Sequence, residues 1–115
     1  MCMMINPNVA SLNKRVVWKV FDRQEGKIVS LYKAATYPKG KRIKRDAGIV
    51  NDHGYGEHGL HFFVTKARAI KEARDFPNTY VAKFKVSPKD FLYAGYDSEV
   101  MYERATRVGN FIKVK

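Results

Sequence analysis

The stretch GYGEHGLHFFVT, residues 54–65, holds Gly54, Gly56 and Gly59 in the spacing G-x-G-x-x-G, and His53, His58 and His61 gather around it. Three chemistries compete for such a run. A dinucleotide-binding loop needs a strand before the glycines and a helix directly after them, because the pyrophosphate rests on the first N–H groups of that helix. Here the glycines run into LHFFV, which reads as a strand, so the reading fails on context. A kinase-type glycine loop is excluded in a chain of 115 residues that lacks H-R-D and D-F-G elements. Imidazoles spaced by five and three residues can hold zinc, but only Asp52 and Glu57 stand nearby as supporting carboxylates. The expectation is a turn that feeds a strand, with no metal and no cofactor. Nucleophilic hydrolysis has no better footing, since Cys2 is terminal and no G-x-S-x-G elbow occurs.

A second candidate is KGKRIKR, which packs Lys39, Lys41, Arg42, Lys44 and Arg45 into seven positions close to Tyr37. Clustered cations suit phosphates because they displace condensed counterions, and a glycine lets the backbone come near. Five such contacts weaken binding by roughly 10²–10³ between 50 and 200 mM salt. Tyr37 and Tyr55 are the aromatics that would stack on a base if exposed. The competing reading is a solvated loop kept soluble by its charge. Cations also crowd the segment from Lys14 to Lys33 and the C-terminal strands, at Arg104, Arg107, Lys113 and Lys115. In all, 22 Lys and Arg face 11 Asp and Glu, a formal +11. That excess favours nucleic acid or an acidic protein partner and says nothing about fold.

The elements that must carry these residues follow from periodicity. RVVWKVFD alternates Val16, Trp18 and Val20 against Val17, Lys19 and Phe21; after the turn RQEGK comes KIVSLYKA, so residues 16–34 read as a β-hairpin. Residues 36–59 read as one long basic, glycine-rich loop with at most a short strand at Ile43. Thr65 caps a helix over about 65–76, with Ala69, Ile70, Ala73 and Phe76 on one stripe and Arg68/Glu72 and Lys71/Asp75 as outward pairs. TYVAKFKV sends Tyr80, Ala82, Phe84 and Val86 inward and Lys83 and Lys85 outward. SPKDF predicts one helical turn, and FLYAGY, EVMYERA and FIKVK predict short strands. The fold class is α+β: an antiparallel-rich sheet with one main helix, in one domain over residues 1–115 whose first thirteen residues are expected to be mobile.

One cysteine excludes a disulfide framework, and no apolar run reaches the ~18 residues of a membrane span. The opening residues lack the form of a signal peptide, so the expectation is a cytoplasmic protein without membrane association.

Taken together, VVWKVFDRQEGKIVSLYKAATYPKGK, GLHFFVTKARAIKEA, YVAKFKVSPKDFLYAG and the acidic strand SEVMYERA resemble a loose group of small uncharacterised bacteriophage proteins. They share a hairpin, a "GIHFF"-type strand, a helix and a strand over about residues 16–104. The resemblance implies a phage-encoded accessory protein in the host cytoplasm that binds host or defence machinery; joined to the positive charge, the expectation is a non-enzymatic protein that engages nucleic acid or a nucleic-acid-handling host or defence complex, with an inhibitor that binds an acidic protein surface as an alternative. A fainter similarity is to compact ADP-ribosyltransferases. It implies an NAD site at Tyr32, His61, Thr65, Glu99 and Glu103, with a late glutamate stabilising the charge that develops as nicotinamide leaves. Lys33 and Ala34 stand where that family has His or Arg and Gly, and an extra residue separates Phe63 from Thr65.

Overall fold

The computed structural model describes residues 3–6, 8, 9, 11–30, 35–44, 49, 50, 55–57 and 60–115, with side chains at all of these except 3, 4, 49, 50 and 55–57. In chain order the strands are β1 (Met3–Met4), β2 (Val16–Gln24), β3 (Lys27–Ser30), β4 (Arg42–Lys44), β5 (Ile49–Val50), β6 (Tyr55–Glu57) and β7 (Leu60–Phe63). The helix α1 (Lys66–Ala73) follows, then β8 (Thr79–Lys85), a 3-10 turn (Pro88–Asp90), β9 (Phe91–Ala94), β10 (Glu99–Tyr102), β11 (Arg104–Arg107) and β12 (Ile112–Lys113).

The predicted hairpin forms as β2 and β3, joined by Glu25 and Gly26 at φ 51° and 80°. Two positive φ values in a two-residue turn match the twist of the flanking strands, and glycine accepts its share without strain. The long loop expected over 36–59 is interrupted: β4 joins the main sheet, while β5 and β6 make a small three-stranded sheet in the order β1-β6-β5. Strands of two or three residues are too short for alternation to reveal, which is why the sequence shows only the one at Ile43. Part of the N-terminal segment also pairs and packs. Met3 and Met4 pair with Gly56 and Tyr55, the Asn6 N–H donates to the Ala94 carbonyl at 2.8 Å, and Val9 and Leu12 pack against the core.

The main sheet is antiparallel in the order β4-β11-β8-β2-β7-β10-β9, with β12 on β8 and β3 on β2. β10 and β11 are separated in the chain by Glu103 alone, yet β8, β2 and β7 lie between them in pairing order. One residue leaves at most about 7 Å between the Cα atoms on either side of it. The sheet must therefore curl until its flanks meet, like a small open barrel. Its interior takes the inward side of each alternation: Val17 and Phe21 from β2, Leu60 and Phe62 from β7, Ala82 and Phe84 from β8, Val100 and Tyr102 from β10 and Ala105 from β11. Aromatic rings meet there edge to face, Phe21 with Tyr37 at 5.6 Å and Phe62 with Tyr102 at 6.3 Å between centroids.

Alternation also sends Lys19 inward. Its amine donates to the His61 carbonyl at 2.7 Å and lies 5.6 and 5.1 Å from the Tyr37 and Phe62 ring centroids, so the charge is met by oxygen and by π faces. Tyr102 is less well served. Its hydroxyl is fully buried and has no hydrogen-bond partner among the described residues, and burial pushes its pKa up to about 12.

Helix α1 packs on the outer face through Ala69 and Ala73, against Val20 and Val81, with Trp18, Phe63 and Ile70 at the margin. Thr65 caps it as expected, its Oγ1 accepting from the Arg68 N–H at 3.2 Å. The helix is shorter than the predicted 65–76. The N–H groups of Asp75 and Phe76 reach back only three residues, to Glu72 and Ala73, and Pro77 blocks any continuation. Arg68 and Glu72 pair at 3.3 Å; no Lys71–Asp75 ion pair forms among the described residues, because the helix ends before Asp75. Thr79 then locks the helix exit to β8 by donating its buried hydroxyl to the Ala73 carbonyl at 2.8 Å.

Candidate nucleic-acid interface

The residues of KGKRIKR do not form a free basic loop. The Lys39 amine donates to Asn110 Oδ1 at 3.0 Å, and Lys41 is exposed after the turn at Pro38–Gly40. Arg42 and Lys44 sit on the outward side of β4, with Ile43 turned to the core. Arg45 lies outside the described residues. Two carboxylates approach this strand across the seam of the curled sheet. Asp90, only 5% exposed, bonds Arg104 at 2.9 Å and faces Arg42 at 3.7 Å; Glu103 faces Arg104 at 3.4 Å and Lys44 at 3.9 Å. The contacts to Arg42 and Lys44 are long and their side chains are 60% exposed, so solvent screens both and each is worth a fraction of a kcal/mol, ~0–1.

Tyr37 is not at the surface. It is 4% exposed, with its ring against Phe21 and Phe84, so it holds the loop to the core and offers no face to a base. Arg107 fixes the same loop from the other side. Its Nε donates to the Tyr37 carbonyl and its Nη1 to the Gly109 carbonyl, both at 2.7 Å, while Phe111 covers the guanidinium at 4.2 Å. Burial lowers its pKa. Arg107 is thus a structural cation and drops out of the surface charge.

Register extends the basic surface elsewhere. Residues directly opposite one another in an antiparallel pair share a face. Arg42 pairs with Thr106, Thr106 with Lys85, and Lys85 with Val16, so these four make one row across β4, β11, β8 and β2. Lys44 and Arg104 are opposite each other on the same face, and Lys83 is opposite Trp18. Lys83 and Lys85 are exposed and make no ion pair among the described residues. Adjacent strands lie ~4.8 Å apart and alternate residues along a strand ~7 Å, so Arg42, Lys44, Lys83, Lys85 and Arg104 share a patch on the order of 15 Å across.

The opposite end of that face is acidic. The row from Lys83 through Trp18 and Phe63 ends at Glu99. Arg68 lies over Phe63 and bonds Asp97 at 2.6 Å and Glu72 at 3.3 Å. The hydrogen bond from Arg68 holds the Asp97 carboxyl below the usual range, whereas burial pushes Glu99 up, opposed by Arg68. Charge therefore changes sign along one face.

The residues of the NAD reading are split. His61 and Glu99 share the outer face of the β7–β10 pair, diagonally placed, which puts their Cβ atoms ~7–8 Å apart. Thr65 uses its hydroxyl oxygen in the helix cap, and Glu103 is turned to Lys44 and Arg104. Tyr32 lies outside the described residues, as do His53 and His58 of the histidine group.

The sequence placed Lys83 and Lys85 outward but not in the site. The missing signal is register, which brings them onto the face of Arg42 from more than 40 positions away. No helix among the described residues is long and apolar enough to cross a membrane. Compared with known proteins, the chain matches no protein-family profile, no curated relative and no solved structure, so the comparisons bear on neither resemblance.

Proposed function

We propose that this protein is a non-enzymatic binding protein whose basic sheet face engages the phosphate backbone of nucleic acid. The observation that supports this most is the exposed pair Lys83 and Lys85, standing free of ion pairs among the described residues, with Lys85 in line with Arg42 across Thr106 and Lys83 one row along. Lone surface cations are common; exposed cations aligned by strand register on one sheet face present a repeating array to a repeating anion. Five cations on the face meet two carboxylates, Asp90 and Glu103, leaving a net of three.

That net sets the expected response. With about three phosphates neutralised, the slope of log K against log[salt] is about −2 for a single strand and about −2.7 for a duplex. Raising salt from 50 to 200 mM then weakens binding about 20-fold or 40-fold. Fluorescence anisotropy with short labelled DNA and RNA at these two salt concentrations tests the proposal. Affinity that ignores salt, or no binding at 50 mM, removes it.

A further inference from the structure

Trp18 is the one tryptophan in the chain, and it stands partly exposed at the β2 border of the basic face. Lys83 is directly opposite it on β8, and Lys85 is diagonal to it. Val16, two residues away on the same side of β2, is 40% exposed. Helix α1 packs over Val20 and Val81 with Trp18 at the margin of that cluster, and its first residue, Lys66, sets its amine 5.5 Å from the indole centroid. A partly exposed aromatic and an exposed aliphatic residue thus border the lysines of β8.

A duplex has no use for such a platform, because its bases are stacked on each other and only phosphates and groove edges face out. A single strand does: every base has a π face, and stacking on an aromatic side chain adds to the phosphate contacts without demanding a sequence. Building on the binding proposed above, we infer that the ligand of this face is single-stranded nucleic acid, with one base stacked on Trp18 and the flanking phosphates on Lys83, Lys85 and Lys66. The charge complementarity is direct, and the ~7 Å between alternate residues of a strand is close to the spacing of successive phosphates in an extended chain. Lys66 leaves the indole as the base arrives and meets the neighbouring phosphate.

The test uses a twelve-nucleotide oligothymidylate, the matching oligouridylate and a twelve-base-pair duplex at 50 mM salt. Trp18 emission reports the contact directly, since no other tryptophan contributes. The expected result is saturable quenching by either single strand, with the same midpoint as anisotropy. Trp18→Leu keeps an apolar side chain against Phe63 and Val20 while removing the stacking surface; it should weaken single-strand binding about 5- to 150-fold and leave duplex binding unchanged. Trp18→Phe should restore most of the loss. Binding without a change in emission, or an equal loss for single strand and duplex, overturns the stacking while leaving phosphate binding standing. No binding of any of the three ligands overturns both.

Discussion

Replacing Lys83 and Lys85 together by glutamine removes two of the three net charges that the face presents. Both side chains are exposed on the outer side of β8, while their neighbours Ala82, Phe84 and Val86 fill the core, so the change leaves packing intact. Stability should shift by no more than about 0.5 kcal/mol, the usual range for surface sites. Affinity should respond far more. Each lost phosphate contact flattens the single-strand salt slope by about 0.7, so the double variant should fall from about −2 to about −0.7. If the two lines converge near 1 M salt, where counterion release no longer contributes, the loss is about 10-fold at 200 mM and about 70-fold at 50 mM. Anisotropy over a salt series measures slope and affinity together, and thermal unfolding monitors the fold. An unchanged slope in a folded variant refutes the assignment of this face, whatever happens to affinity at any one salt concentration.

Three further outcomes follow from the geometry. Glu103→Gln releases Lys44 and Arg104 from a facing carboxylate and raises the net charge of the face by one, so single-strand affinity should rise about 5-fold at 100 mM salt, whereas a transferase using Glu103 would lose NAD turnover. Tyr102→Phe removes a buried hydroxyl that has no partner among the described residues and should stabilise the protein by about 1–2 kcal/mol in urea unfolding. The native tyrosine, raised to about 12, keeps its full contribution below the unfolded value of 10.0 and loses it as pH rises toward 12, a loss of about 2–3 kcal/mol that the phenylalanine variant should not show. Arg107→Met leaves the buried carbonyl of Tyr37 and the part-buried carbonyl of Gly109 without their Arg107 donors and should cost about 2–4 kcal/mol, read from the unfolding midpoint, because two charge-assisted hydrogen bonds disappear at once.

Much of the scaffold could be read from local pattern. The β2–β3 hairpin, the cap at Thr65, the outward lysines of β8 and the turn at Pro88 each follow from a period or a capping residue within a dozen positions. What stayed hidden depends on distant parts of the chain. Lys19 shows a polar side chain on the Val17–Phe21 side, but that this side is the interior, and that His61 supplies an acceptor there, is decided by closure of the sheet. EVMYERA reads as one strand and is two, because Glu103 carries the chain across the seam to pair with β8 and β4. Tyr37 sits beside a basic run in sequence and inside an aromatic cluster in space, its carbonyl held by a hydrogen bond from Arg107, 70 positions away. The basic site shifted for the same reason. Adjacency in sequence pointed to residues 39–45, whereas strand register gathers Arg42 and Lys44 with Lys83, Lys85 and Arg104 and sets Asp90 and Glu103 against part of that charge.

Backbone amide chemical-shift mapping during titration with a single-stranded oligonucleotide tests most directly whether the basic sheet face meets the ligand. Saturable shifts should concentrate at Val16, Trp18, Arg42, Lys83, Lys85 and Thr106 and spare the hairpin tip at Glu25–Gly26. Shifts confined to the hairpin tip or to the exposed side of α1, with the β8 and β4 amides unmoved, would contradict the proposal.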